Sequence, residues 1–188
     1  VKGVDTVFKW FVRKQLQAFE RKWNYDTSYV REILDEAGLD AVMPMQALQK
    51  LKFRGGVPLT AYYGAALTAG KLGDCGPCLQ LAVSIAEEEG LSRDVIRAVL
   101  QRDLQALPEE ALLGVELAES TIARDGSGED ARREILRRWG RRGLVSMAYA
   151  IVAAQAYPTL KYAIGHGHAC VRVRVGGETV ALKDPSFA

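Results

Sequence analysis

The residues best suited to chemistry are Cys75 and Cys78, which flank Gly76 and Pro77. Side chains three residues apart meet across one helical turn, with Cβ atoms about 5–6 Å apart. A disulfide needs Cα atoms roughly 4.4–6.8 Å apart, so the pair can close after a small adjustment. At a helix start, unpaired N–H groups and the helix dipole favour thiolate over thiol. Pro77 presets φ for a first turn, and Gly76 lets the chain bend tightly. Spacing, insert and following helix agree on a reversible dithiol. Two other readings stand beside it: two buried cysteines that happen to be neighbours, and half of a zinc site. No second Cys-x-x-Cys completes the latter. Helix-end physics marks Cys75 as the low-pKa member.

Four further residues are candidates to tune the pair or relay a proton: Asp74, Tyr63, His166 and His168. Asp74 raises the pKa of Cys75 if its charge is unbalanced, or else caps the helix that follows, the preferred reading. Tyr63 has a hydroxyl able to donate to a thiolate, although a packed tyrosine is the default. His166, His168 and Cys170 lie at i, i+2 and i+4. In an extended segment they would share a face and suit a metal such as zinc. A surface turn leading into the tail is preferred, and no metal is assigned. A histidine folding back to serve as base is the third reading.

Helices must position these groups. Val4–Trp23 has apolar residues at helical spacing with lysine and arginine among them. It reads as a docking helix, with a membrane-surface role as the lesser alternative. Asp26 or Thr27 caps a short helix ended by Gly38, and Asp40–Leu51 follows with Pro44 near its first turn. Pro58 opens a helix to about Gly70, and another runs from Cys78 to Glu89. Ser92 caps the next, and Pro108 starts one ending near Asp125. Glu129–Trp139 and Leu144–Tyr157 complete the set, separated by Gly140 and Gly143. The alanine-rich stretches Leu59–Ala69 and Leu144–Ala156 imply close helix packing. In the tail, valines alternate with arginines before Gly176-Gly177 and a second β-prone run. That is a hairpin with a two-residue turn. Being marginal alone, it must pack on the domain or on another subunit.

The chain has 188 residues, 48% of them hydrophobic, which suits a globular core. A net charge of +2 excludes a strong electrostatic case for nucleic acid. Arg132, Arg133, Arg137, Arg138, Arg141 and Arg142 read as a solvated face diluted by Glu129, Asp130 and Glu134. The longest apolar run, Leu144–Ala154, is short for a membrane span. Three cysteines suit a reducing compartment, so a cytoplasmic location is expected.

Cys-Gly-Pro-Cys also occurs in thioredoxins, but that fold needs a buried strand before the pair. Here Tyr62–Gly70 reads as helix. A helical Cys-x-x-Cys instead resembles the alkylhydroperoxidase D-like proteins of the carboxymuconolactone decarboxylase superfamily. The likeness covers roughly Pro58–Gly167, and the stretch Tyr157–Cys170 resembles that of an uncharacterised branch. It implies an all-α fold that oligomerises, and peroxide reduction by a dithiol that an external thiol reductant restores. It also implies that Cys78 attacks the peroxide and Cys75 resolves it. The family's relay histidine, four residues after the second cysteine, is Ala82 here. Its glutamate, twelve before the first, is Tyr63.

The expectation is therefore an all-α domain with an N-terminal amphipathic helix and a C-terminal β-hairpin. Its parts are an extension over 1–57, a core over 58–168 and a tail over 169–188. The expected function is thiol-dependent oxidoreduction of a small hydroperoxide, with a thiol reductant protein as partner and no bound cofactor. The alternatives are a non-enzymatic redox-responsive module and, last, lactone decarboxylation. A homo-oligomer is expected, with α-helix Val4–Trp23 and the hairpin in its contacts.

Overall fold

Apolar residues at helical spacing produce α1, Lys2–Trp23, in the computed structural model. Residues 2–49, 51–167 and 172–182 are described. After α1 comes α2, Ser28–Glu32, which runs into a single π-type turn over Ile33–Ala37. Gly38 ends it at φ 98°, a value glycine adopts without strain. Helix α3 is Leu39–Gln49, with Pro44 mid-helix and not in its first turn. Then follow α4, Leu59–Leu72, and α5, Gly76–Glu88. Next are α6, Arg93–Gln101, and α7, Glu109–Ala123. Helix α8, Glu129–Ala163, is broken only at Gly140, where φ is 63° and ψ −170°. Strands β1, Arg172–Val175, and β2, Glu178–Ala181, pair antiparallel. The fold is all-α with a C-terminal β-hairpin, as the periodicity implies.

Contacts divide the chain into two compact units, Val1–Lys50 and Leu51–Ala188. In the first, Val12, Tyr29, Val30, Leu34 and Val42 are buried. Glu20 ties this unit together. It accepts from the Thr27 N–H at 3.1 Å and the Thr27 hydroxyl at 2.7 Å. It also pairs with Arg31 at 2.5 Å. Thr27 thus serves Glu20 and makes no side-chain cap to α2. Asp26 instead accepts from the Ser28 N–H at 2.8 Å.

The second unit is built around α4, whose residues from Ala61 to Lys71 are all buried. Helices α7 and α8 are its main neighbours, with α5 and α6 completing the cover. Glycine makes the α4–α7 crossing close. A Cβ on Gly64 would stand 2.4 Å from the Ala111 carbonyl oxygen, and one on Gly114 the same distance from that of Ala61. Close packing of the alanine-rich helices is therefore present, and its tightest point is against α7.

Gly143 does not break α8; it lets the chain pass Trp139 and Val57, which a Cβ would meet at 2.3 and 3.1 Å. The arginines early in α8 form ion pairs with Glu129, Asp130, Glu134 and Glu109. They form the solvated face expected of them. By length and composition α8 contains one window apolar enough to cross a membrane, longer than the run read from sequence. In the fold its Gly143, Ser146, Met147, Ala150 and Ile151 are buried, and the helix packs on α4.

The hairpin turn uses Gly176 and Gly177 at φ 59° and 86°, both positive as a type I′ turn requires. Val173, Val175 and Val180 are buried, and the strands lie against α5 and α6. The hairpin is thus part of the second unit's own core.

Candidate redox site

Helix α4 ends at Leu72, and three residues reverse the chain before α5. Gly73 donates its N–H to the Ala69 carbonyl at 3.0 Å, and Asp74 to that of Lys71 at 3.1 Å. Asp74 takes φ 46°, a left-handed conformation that aspartate tolerates better than most residues. Cys75 is extended, at φ −114° and ψ 100°, in the N-cap position of α5. The helix therefore starts at Gly76, two residues earlier than Cys78, and Cys75 holds the cap position expected of Asp74. Pro77 and Cys78 occupy its first turn, as the motif implies.

No disulfide joins the pair; Cys75 is buried and Cys78 half-buried. Cys75 makes no regular capping hydrogen bond. Charge on its sulfur is nonetheless favoured, and its pKa falls from 9.0 to about 6. The Cys78 thiol contributes most to this, followed on the stabilising side by the Cys78 N–H and the charge of Lys161. Burial opposes the shift, and Asp74 opposes it weakly.

One face of α8 covers this turn. Gln155 donates to the Ala69 carbonyl. Pro158 presses on Gly73, where a Cβ would meet its ring at 3.1 Å. The Tyr162 hydroxyl donates to the Asp74 carbonyl at 2.8 Å. Lys161, between these last two contacts in sequence, is only 4% exposed. Helical spacing of 155, 158, 161 and 162 puts all four on one side. Sequence reasoning missed them, although a lysine inside an apolar helical run is the signal that could have raised Lys161.

The other candidates fall elsewhere. Tyr63 accepts a hydrogen bond from Arg54 at 3.3 Å, and Arg54 stacks on Tyr62 at 3.9 Å and pairs with Glu89. Glu89 follows the C-terminus of α5, so this cluster lies at the end of α5 remote from Cys75. Burial pushes the Tyr63 hydroxyl up to about 12. Tyr63 is thus an arginine partner and is not brought to the pair. Ala82 packs against the core. His166 donates its N–H to the Lys161 carbonyl at 2.7 Å, beyond the end of α8. His168 and Cys170 lie outside the described residues. Among the described residues no three metal-binding side chains cluster.

No protein-family model, characterised protein or solved structure matches the chain.

Proposed function

We propose that the chain is a thiol-dependent oxidoreductase that reduces hydroperoxides through a reversible Cys75/Cys78 dithiol–disulfide cycle. The supporting observation is the placement of Cys75: a buried sulfur at a helix start, facing the Cys78 thiol and the charge of Lys161. Charge rests on Cys75, but Cys78 is the member that a substrate reaches. Transfer of the Cys78 proton to Cys75 makes the accessible sulfur the nucleophile. This is the role that the family resemblance also assigns to Cys78.

The Cys78 thiolate attacks one peroxide oxygen and the O–O bond breaks. Cys78 becomes a sulfenic acid, and the departing alkoxide takes the Cys75 proton to leave as alcohol. The Cys75 thiolate then attacks the Cys78 sulfur. Hydroxide departs, taking a proton from solvent to become water, and the disulfide forms. An external dithiol protein returns two electrons and two protons by thiol–disulfide exchange.

The test is thiol titration after brief peroxide exposure, repeated through cycles of added dithiol reductant. Loss of two thiols in each cycle is the expected result. Thiols that stay unreactive in the folded protein would remove the enzyme reading.

A redox-responsive module is the second reading. Gln80, two residues past Cys78, holds the backbone of Arg174, so the helix bearing the pair also carries the hairpin. The absence of the family histidine and glutamate at Ala82 and Tyr63 favours it too. Reversible oxidation without peroxide turnover, accompanied by a change in assembly, would select this reading.

A further inference from the structure

Helix α1 has two apolar sides. One carries Val12, 7% exposed, with the half-buried Leu16 and Phe19, and belongs to the core of its own unit. The other carries Val7, Phe8, Trp10 and Phe11, which are 65%, 55%, 58% and 54% exposed. Four large apolar side chains over half exposed within about two turns form a patch of the kind that marks a contact surface.

Charge identifies what meets it. Helix α1 contains six lysines and arginines against two acids. One of the acids, Glu20, is turned inward to Thr27 and Arg31. Lys14 stands over the Trp10 ring at 5.6 Å, so a cation borders the apolar patch. A tryptophan ring edged by an ammonium group suits the headgroup level of a bilayer, where the ring enters the apolar boundary and the charge meets phosphate. Two copies of α1 packed together would instead oppose their positive excess.

We propose that α1 seats this protein on an anionic lipid surface, with Val7, Phe8, Trp10 and Phe11 in the bilayer interface and the neighbouring lysines on lipid phosphates. The site is independent of the thiol chemistry and holds whether or not the pair is catalytic.

The test is co-sedimentation of the full chain with phospholipid vesicles, either wholly neutral or containing one part in four of anionic lipid. Binding to the anionic vesicles is expected, stronger than to neutral ones by about tenfold. Phe8→Ser/Phe11→Ser should abolish it, and Lys14→Glu/Lys22→Glu, both exposed and on the patch side of the helix, should remove the preference for anionic lipid. Circular dichroism confirms that each variant is folded, as exposed positions allow. Failure to sediment with either vesicle would overturn the proposal. So would equal binding to both, or undiminished binding of the double serine variant. A self-associating protein that the serine variant dissociates, with no vesicle binding, would assign the face to a second copy and overturn it as well.

Discussion

Gln80 and Arg174 exchange two hydrogen bonds: the Gln80 amide donates to the Arg174 carbonyl at 3.0 Å and accepts its N–H at 2.7 Å. A side chain thus pairs with β1 as a neighbouring strand would. One α5 turn-pair later, Glu87 accepts the Gly176 N–H at 2.8 Å, and Arg93 pairs with the same carboxylate at 3.0 Å. The hairpin is held along the helix that begins with the cysteines.

Gln80→Ala removes both bonds and leaves a strand edge with fewer partners. It should cost about 1–2 kcal/mol, since each bond is worth about 1 kcal/mol net. Urea denaturation measures the loss. Amide exchange at Arg174 should quicken selectively if the strap is broken, and unchanged exchange there would show that valine burial alone holds the hairpin.

The depressed pKa of Cys75 predicts a stability profile as well as reactivity. In the unfolded chain the thiol titrates near 9.0, and in the folded chain near 6. Between these values the unfolded state binds more protons, so stability rises with pH. The contribution is complete above the unfolded value and is lost as pH falls through the folded one. Reduced protein should therefore gain stability from pH 6 towards pH 9, and Cys75→Ser should flatten that slope. Denaturation midpoints across this range provide the check.

Lys161 contributes to the same shift from a buried position. Lys161→Met should raise the pH midpoint of iodoacetamide alkylation by about one unit, the lower end of the effect of an adjacent opposite charge. Lys161→Arg should restore much of the shift. A midpoint unmoved in Lys161→Met would mean that Cys78 and the helix end suffice.

Peroxide reactivity should divide the cysteines by exposure. Cys75→Ser leaves the accessible Cys78 able to form a sulfenic acid, which a dimedone probe traps. Cys78→Ser leaves only a buried sulfur and should label at least tenfold more slowly, a barrier difference of about 1.4 kcal/mol. The reverse order would make Cys75 the attacking residue.

Gly64 and Gly114 set the α4–α7 distance. Gly64→Ala places a Cβ against backbone and forces the helices apart, at a cost of about 1–3 kcal/mol. The gain in helix propensity, about 1 kcal/mol, does not offset it fully. Thermal unfolding of Gly64→Ala and Gly114→Ala tests this. An increase in Tm for either would show that the crossing can relax.

Most of the secondary structure is local in origin and was legible. Ser92 caps α6, its hydroxyl accepting from the Asp94 N–H at 3.3 Å. Pro58 and Pro108 sit just before α4 and α7, and two glycines with positive φ form the hairpin turn. Boundaries moved where a single residue decides them. Cys75 took the cap position expected of Asp74, and the chain passed Pro44 and Gly143 without a break, because backbone geometry there answers to packing.

The sequence by itself determined the dithiol motif, the helical setting of the pair and the hairpin, because spacing, capping and turn chemistry act over a few residues. Tertiary structure alone decided what surrounds the pair. It brings Gln155 and Tyr162 onto a turn 86 and 88 residues earlier, buries Lys161 beside them, and leaves Tyr63 with Arg54 and Glu89. It also joins Gln80 to Arg174 across 94 residues. Periodicity reports that a face is buried, but which faces meet depends on the close α4–α7 crossing at Gly64 and Gly114 and on how α8 packs over α4.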